Sequence, residues 1–538
     1  MKDNLKEVDD VEKNVDYEKF DTDEENPQKS KKNFFTKSLL LPICLFVAFL
    51  LCLIFYISTS NPKAKTYETK CLITGNDIKE CKACAPGDKL VDGKCVINHS
   101  FKAVYHTGAN EQVKLFNLPD ELVLELTIDG QKMDTSINTY TFQESGDHTV
   151  YVLIDEYKCY NLIGLFSGNK KVTSIEFSPS FNSGKVNEMT SMFQNCPALT
   201  HIDVTHLNTE SVVYMENMFS GCTALTSLNL LNFNVGKVEK MNSVFTGCTS
   251  LQYLDLSTWK TDSMVSMEFL FSRCSSLTSI DVSNFNTKKV HSMQRAFLGC
   301  ASLKSLDLSS FDTKNVRNMF GLFTGCKSLE KIDVSSFDTK KVKNIENMFK
   351  GCQKLTSIDL SNFDTKKMVR ISGLFSGCIS LTSFDISNFS FESIADLNYL
   401  FSDCKSLTSI DVSKFHTENI VSLTGMFSGC SSLTSIDLSN FDTENVEKMD
   451  KMFQDCSSLK SLDLSHFRTF NIEKASKMFK GCKKLTNLDI SGFEWEEIES
   501  EKFMEGIPSS GRIKINKKFK EKIKMYLPRR WKIDVIDE

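Results

Sequence analysis

The sequence predicts an α/β solenoid, a horseshoe of about 12 repeats with a parallel sheet, preceded by a single transmembrane helix and a small β domain. Three observations predict this fold class. A 26-residue pattern recurs twelve times without a break in register, an uncharged apolar run occupies residues 39–57, and alternating apolar and polar residues lie between the two. Because one short copy cannot bury a core by itself, consecutive copies are expected to stack.

Composition restricts the class of protein before any motif is considered. The chain has 538 residues, of which 25% are charged and 41% hydrophobic, which excludes wholesale disorder. A net charge of −5 and a pI near 6.0 exclude a generally basic nucleic-acid-binding protein. The counts of 41 Phe and 19 Cys are typical of one short pattern copied many times.

The apolar run predicts a membrane helix over residues 39–58. Its nineteen uncharged residues, LLLPICLFVAFLLCLIFYI, are long enough to span a hydrocarbon core of about 30 Å. A cleaved signal peptide fits less well, because 38 residues precede the run and no clean small-residue cleavage site follows it. Lysines are denser before the helix than after it. The sequence therefore predicts a single-pass type II protein of the plasma membrane, with residues 1–38 as a disordered acidic cytosolic tail and the C-terminal region extracellular.

Two small regions are expected between the membrane and the repeats. Residues 59–99 form a cysteine-rich stalk whose four cysteines suit zinc or two disulfides, and an extracellular location favours disulfides with any of three pairings. Residues 100–159 alternate in the manner of strands and predict a small antiparallel β domain. The candidate disulfide residues are Cys71, Cys81, Cys84 and Cys95.

Residues 160–495 carry the repeats. A phenylalanine recurs every 26 residues from Phe193 to Phe479, and a cysteine follows each one three residues later. In the copy around residues 277–300, LTSIDVSN reads as a short strand with one buried face. Asn286-Thr287 then suits a turn and a helix N-cap, and an apolar stripe at helical spacing ends near Gly299, where a left-handed residue is expected. Each coil is therefore predicted to contain a strand, a turn and one or two helical turns.

The repeat resembles a known family. Residues 441–466 read FDTENVEKMDKMFQDCSSLKSLDLSH, which contains the L-x-x-L-x-L pattern of leucine-rich repeats and is similar to the repeat of BspA-like leucine-rich-repeat surface proteins of bacteria and protists. The resemblance covers about residues 160–495. It implies surface display and adhesion to matrix proteins, host cells or other microbes, without catalysis. The N-terminal membrane helix points to a protist-type, type II form.

Two ladders of repeated side chains allow functional interpretations. The cysteine ladder is open to metal binding, redox chemistry or intermolecular cross-links, but its place on the apolar stripe favours buried free thiols. The aspartate ladder lies on the strand and is expected to face away from the core, towards the concave face of the horseshoe. Carboxylates about 5 Å apart repel, so they need hydroxyl or amide donors, lysines or cations nearby. Calcium is disfavoured because it needs six to eight oxygen ligands.

We name the aspartate ladder the acidic stripe, and we predict that it binds a ligand. Its candidate ligand-binding residues are Asp255, Asp281, Asp307, Asp333, Asp359, Asp385, Asp411 and Asp437. No metal site and no cofactor is predicted.

Residues 496–538 are predicted to close the array as a basic C-terminal cap. Its apolar residues suit the last open edge, and its basic run suits either a solvated face or the binding of acidic glycans. Two N-glycosylation sequons begin at Asn98 and Asn388.

The predicted function is that of a membrane-anchored cell-surface protein, not an enzyme, because the chain has no recognisable catalytic or phosphate-binding motif. The concave face of the solenoid would mediate adhesion by binding extracellular or host-surface proteins or glycans. The alternatives are a cell-surface receptor that signals through its short acidic cytosolic tail, and a passive coat protein. No nucleic acid partner is predicted, and the sequence leaves the ligand, the disulfide pairing and the oligomeric state open.

Overall fold

The computed structural model describes residues 99–386, 388–494 and 500–536, together with the backbone of four short strands between residues 71 and 97. The predicted acidic tail and the predicted membrane helix lie outside the described residues. Within the described part of the chain, no helix combines the length and the apolar character that a membrane span requires.

The stalk contains two backbone hairpins. β1 pairs antiparallel with β2, and β3 pairs antiparallel with β4. The register of the first hairpin sets Cys71 across from Cys81. Cys84 and Asn98 lie outside the described residues, so the predicted disulfides stay a prediction. The strand bounds are β1 Cys71–Thr74, β2 Asp77–Cys81, β3 Asp88–Val91 and β4 Lys94–Ile97.

The strands between residues 101 and 154 are mostly antiparallel, and their sheet continues into the solenoid. The six-stranded sheet has the order β12-β11-β5-β10-β7-β8, while β6 and β9 form a separate antiparallel ribbon. Strand β5 pairs antiparallel with β11, which pairs parallel with β12 of the next coil. The β domain therefore covers the N-terminal edge of the solenoid. The bounds are β5 Phe101–Thr107, β6 Glu111–Lys114, β7 Val123–Ile128, β8 Gln131–Met133, β9 Thr139–Phe142, β10 Gly146–Ile154, β11 Val172–Phe177 and β12 His201–Asp203.

The repeats form a parallel solenoid of about thirteen coils. One side of each coil, the strand face, holds the segment that the sequence predicts to be a short strand, and many of the coils form it. Where strands on this face pair regularly, each residue lies beside the residue 26 positions later, as in Tyr253 beside Ser279. Regular pairing is interrupted at the coils of Asn229, Asp307, Asp333, Asp411 and Asp437. The bounds are β13 Tyr253–Asp255, β14 Ser279–Asp281, β15 Ser357–Asp359, β16 Ser383–Asp385, β17 Ser461–Asp463 and β18 Asn487–Ile490.

The predicted helical turns are wrong, and the solenoid is built from strands and turns instead. The residues two before and two after the repeated phenylalanine have positive φ, for example 59° at Asn217 and 76° at Gly221 around Phe219. The amides of Phe219 and Gly221 donate to carbonyl groups of the next coil, and the amide of Cys222 donates within its own coil. An α-helix cannot tolerate a left-handed residue every fourth position. We call this side the turn face.

The left-handed position predicted at the end of each apolar stripe is confirmed. Gly299 has a φ of 72°, and Arg273, which replaces glycine in another coil, has a φ of 60°. A residue with a side chain costs free energy in this left-handed conformation. The hydrogen bond from the Arg273 amide to the Leu298 carbonyl group of the next coil holds Arg273 there.

The core is a continuous stack of phenylalanine rings. Thirteen rings from Phe166 to Phe479 follow one another with centroids 5.4–6.1 Å apart. A second row of rings nearer the strand face includes Phe415, Phe441 and Phe467, with centroids 6.2 Å apart for Phe415–Phe441 and 6.5 Å apart for Phe441–Phe467. The expected curvature towards the strand face stays a prediction.

The described C-terminal region continues the parallel sheet of the solenoid. Two further strands, β19 Arg512–Asn516 and β20 Lys532–Ile536, extend the parallel sheet beyond β18, and a short helix, α1 Lys520–Lys524, lies between them. Ile513, Ile515, Ile523 and Trp531 are buried, while Phe519 and Leu527 are partly buried against the core.

Candidate binding surfaces

The aspartates of the acidic stripe lie along the strand face. For seven of the eight candidate aspartates, the backbone amide two residues later donates to the Oδ1 atom, as from Ser335 to Asp333 at 2.9 Å. The same bond at 2.9–3.0 Å is made by Asp255, Asp281, Asp307, Asp359, Asp411 and Asp437. Asp385 is exposed on the same line and pairs in register with Asp359. The repeated Asp-x-Ser pattern is therefore first a turn motif that fixes the direction of each carboxylate.

The electrostatics of the stripe follow from these bonds. The backbone and side-chain groups of Ser335 lower the pKa of Asp333, and the carboxylates of Asp307 and Asp359 oppose this with a smaller effect. The donors expected from the sequence are thus present and outweigh the repulsion. Among the described residues, no cluster of three or more His, Cys, Asp or Glu is arranged to hold a metal ion.

Shallow grooves lie between adjacent coils on the strand face. One is lined by Asp333 and Asp359 together with Ile332 and Ile358, and a second by Asp385 and Asp411 with Phe384. Ile332 and Phe384 are half-buried, so each groove combines an apolar floor with a carboxylate on either side. Such a surface suits an extended partner that crosses several coils.

The cysteine ladder forms part of the core. The thirteen described cysteines from Cys159 onwards are free and buried, which confirms the predicted free thiols. The thiol of Cys248 donates to the carbonyl oxygen of Phe219 in the preceding coil at 3.2 Å, and burial raises its pKa to about 12. A thiol that stays protonated and hydrogen-bonded is a poor metal ligand or nucleophile.

A buried threonine ladder was missed by the sequence analysis. Thr287, which was interpreted as a helix N-cap, is 1% exposed. Its hydroxyl donates to the Asp312 carbonyl group in the next coil at 3.0 Å and accepts from the Asp312 amide at 2.8 Å. The repeated F-D-T could have indicated this ladder, since a polar residue held at a fixed position next to a buried phenylalanine needs a partner. The buried members are Thr209, Thr261, Thr287, Thr313, Thr339, Thr365, Thr417, Thr443 and Thr469.

The Asn388 sequon lies on an exposed turn, but its side chain is already engaged. The Asn388 amide nitrogen donates to the carbonyl oxygen of Ser361 in the preceding coil, as Asn440 does to Ser413. A glycan on Asn388 would have to replace that contact, so its use as a glycosylation site stays a prediction.

Several proteins of known structure are similar to this chain. No curated protein matches the chain. Seventeen chains of solved structures match it. One belongs to the structure described as "Functional domain of InlJ from Listeria monocytogenes includes a cysteine ladder", with 14% identity over 70% of this chain and 72% of that one and a TM-score of 0.22. Another belongs to the "Structure of the Toll - Spatzle complex, a molecular hub in Drosophila development and innate immunity", with 13% identity over 65% of this chain and a TM-score of 0.21. This chain spans 56% of the length of the latter.

One family model matches the repeats five times in overlapping segments, which together run from residue 160 to residue 517. The matched segments are 160–280, 225–331, 265–389, 328–411 and 395–517. They cover well over half of the chain. The chain therefore belongs to the family described as "Mycoplasma protein of unknown function, DUF285".

Proposed function

We propose that this chain is a BspA-like, membrane-anchored cell-surface protein whose strand face binds extracellular or host-surface proteins or glycans. The observation that carries the proposal is the row of carboxylates on the strand face, most of them exposed and seven of the eight candidates held by a backbone amide. Held side chains lose little conformational freedom on binding. A row of identical sites suits many weak contacts that add through avidity.

The preferred partner is an extended chain with basic or hydrogen-bond-donating groups. Carboxylates accept hydrogen bonds and attract cations, and the grooves beside Asp333 and Asp385 add apolar floors. A partner that crosses several coils meets the same chemistry repeatedly, whereas a small ligand would need an enclosed site.

The chain itself supplies the substitution that tests the stripe. Asn229 occupies the aspartate position in one coil and still accepts a bond from the Leu231 amide at 3.2 Å. Replacing Asp281, Asp307, Asp333 and Asp359 with Asn should therefore remove charge and keep the turns. We expect the full-length variant to lose binding to immobilised matrix proteins and cell surfaces that the unchanged chain binds.

A matched control changes four aspartates of the same kind elsewhere. The side chains of Asp312, Asp338, Asp364 and Asp442 also accept from the amide two residues later, but in the turn after the strand-face phenylalanine. Replacing these four with Asn should leave binding unchanged. Equal binding by both variants would contradict the stripe as the ligand surface.

The membrane anchor and its orientation are tested separately. We expect antibodies against a C-terminal tag to label intact cells, and removal of residues 39–58 to release the chain from the membrane fraction. Labelling only after permeabilisation would contradict the type II orientation. Deletion of residues 2–28 distinguishes the receptor alternative from adhesion. If the chain is a receptor, the deletion abolishes a cytosolic response while binding to the ligand persists.

A further inference from the structure

The turn that leads from the strand face to the turn face carries an unusual charge distribution. We call residues 312–318 and the equivalent seven residues of every coil the edge segment. Thr313 and Val316 of this segment are buried and anchor it, whereas Lys314 and Arg317 are exposed. Edge segments of successive coils are joined by a backbone hydrogen bond, as from the Arg317 amide to the His291 carbonyl group at 2.8 Å. Their exposed side chains therefore form rows along the solenoid.

Charges in these rows are sorted into two adjacent blocks. Four successive edge segments hold ten lysines and arginines and three aspartates, and the next three hold six acidic residues and one lysine. The basic block comprises the segments 286–292, 312–318, 338–344 and 364–370, and the acidic block the segments 390–396, 416–422 and 442–448. The third residue of each segment shows the change of sign most plainly: Lys288, Lys314, Lys340 and Lys366 are followed by Glu392, Glu418 and Glu444.

Folding of the solenoid does not require this arrangement. Like charges one coil apart, at about 4.8 Å between backbones, repel each other, and alternating signs would attract. The only ion pair that the ten cations make with a described residue is Lys314–Asp312 at 3.0 Å. The four coils before the basic block carry mixed charges in segments 182–188, 208–214, 234–240 and 260–266, so the fold accepts other patterns. The sorted blocks therefore indicate a partner.

We propose that this partner is a second copy of the chain, docked antiparallel along the edge segments. The sign changes between Lys366 and Glu392, and a two-fold axis through that point sets the basic block of one copy against the acidic block of the other. Lys366 then faces Glu392 of the second copy, Lys340 faces Glu418, and Lys314 faces Glu444. The match holds coil by coil, because both rows have the same rise.

The centre of the proposed contact is apolar. Val369 is 47% exposed in the last coil of the basic block, and Ala395, its equivalent in the first coil of the acidic block, is also exposed. Both lie next to the axis, with the charged rows on either side. An apolar centre surrounded by charged residues is the usual composition of a protein interface. A polyanionic ligand would use only the basic block and would leave the acidic block unexplained, so self-association accounts for more of the surface.

Charge reversal in the full-length, detergent-solubilised chain tests the proposal. We expect the unchanged chain to sediment as a dimer at 50 mM NaCl, with a dissociation constant that rises about tenfold or more at 500 mM as the ion pairs are screened. One variant carries Lys314→Glu, Lys340→Glu and Lys366→Glu, and a second carries Glu392→Lys, Glu418→Lys and Glu444→Lys. Each variant alone should be monomeric, because the third-position residues that face each other across the contact then have the same sign.

An equimolar mixture of the two variants should restore the dimer, since the acidic third-position residues of one variant then face the basic third-position residues of the other. This rescue also shows that both variants are folded. As a matched control, Lys304→Glu, Lys327→Glu and Lys405→Glu change three exposed lysines outside the edge segments and should leave the dimer unchanged. Monomers of the unchanged chain at low salt, dimers that survive either reversal, or a mixture that stays monomeric would overturn the proposal. A monomer retained on heparin through the basic block would overturn it in favour of a polyanion.

Discussion

Replacing Thr287 with valine tests the threonine ladder with a change that keeps side-chain volume. The hydroxyl accepts from the Asp312 amide at 2.8 Å and donates to the Asp312 carbonyl group at 3.0 Å. It therefore pairs both the backbone N–H and the backbone C=O of Asp312 in the next coil. Thr287 is 1% exposed, so water could hardly reach the Asp312 amide and carbonyl groups that lose their hydrogen bonds to the hydroxyl when valine replaces it. Leaving a buried donor or acceptor without a partner costs about 1–3 kcal/mol. Because Asp312 itself is half-buried, we expect Thr287→Val to destabilise the chain by about 2 kcal/mol.

Urea denaturation followed by far-ultraviolet circular dichroism measures this loss. The matched control is Thr356→Val, at an exposed threonine, which should change stability by less than about 0.5 kcal/mol. A lowered midpoint for Thr287→Val, or an early transition that reflects local loosening of its coils, would support the ladder. Identical denaturation curves for the two variants would refute the reasoning, because the hydroxyl would then contribute no more than a solvent-exposed one.

Three further predictions concern other ladders. In the folded chain at pH 8, thiol reagents should fail to modify the thirteen buried cysteines, and denaturation should expose thirteen additional reactive thiols; rapid labelling without denaturant would contradict their burial and raised pKa. Hydrogen bonds from serine lower the pKa of Asp307, Asp333 and Asp359. The ionised carboxylates therefore stabilise the fold at neutral pH, and this stabilisation disappears as the pH falls below the ordinary pKa of 3.8. A urea midpoint that does not fall between pH 6 and pH 3 would contradict this. Arg273→Gly should raise stability by about 1 kcal/mol by relieving a φ of 60°, and Gly299→Arg should lower it in the same denaturation assay; unchanged stability in both would contradict the strain.

The solenoid and its register were predictable because repetition averages out local ambiguity. The apolar positions around Leu277, Ile280 and Val282 alternate, and the structure places a short strand there. The buried thiols followed from the same reasoning, since the cysteine continues the apolar stripe of every coil. The terminal caps were predictable in part: Ile513 and Trp531 are buried as expected, but the continuous sheet from β5 through β11 into the first coils is a long-range pairing that local patterns do not show.

The helical turns were mispredicted for a physical reason. Val290, Met293 and Phe297 recur at spacings of three and four, and periodicity alone assigns this to a helix. A chain that alternates right-handed and left-handed residues buries side chains at similar spacings. The left-handed residues at Arg295 and Gly299 instead direct amide groups to the next coil. Glycine is usual at only one of these two positions, so the residue types indicate only that left-handed position.

The structure shows what the aspartates of the acidic stripe do in the fold, whereas their ligand stays a prediction. The amide of Ser335 and the carboxylate of Asp333 form a closed turn that any coil of this kind benefits from. The aspartate is therefore repeated for folding as well as for binding. Replacing it with asparagine keeps the turn and removes the charge, so this change tests whether the row binds a ligand. The charge blocks of the edge segments carry the complementary signal, because they vary between coils that fold in the same way.

The most direct test of the account is the spacing of coils in the full-length chain. Thr278 and Thr434 are exposed on the strand face and lie six coils apart. With a rise of about 4.8 Å per coil, spin labels introduced at these two positions through unnatural amino acids should lie about 30 Å apart with a narrow distribution in pulsed electron resonance. A broad distribution, or a separation beyond about 45 Å, would contradict a single stacked solenoid.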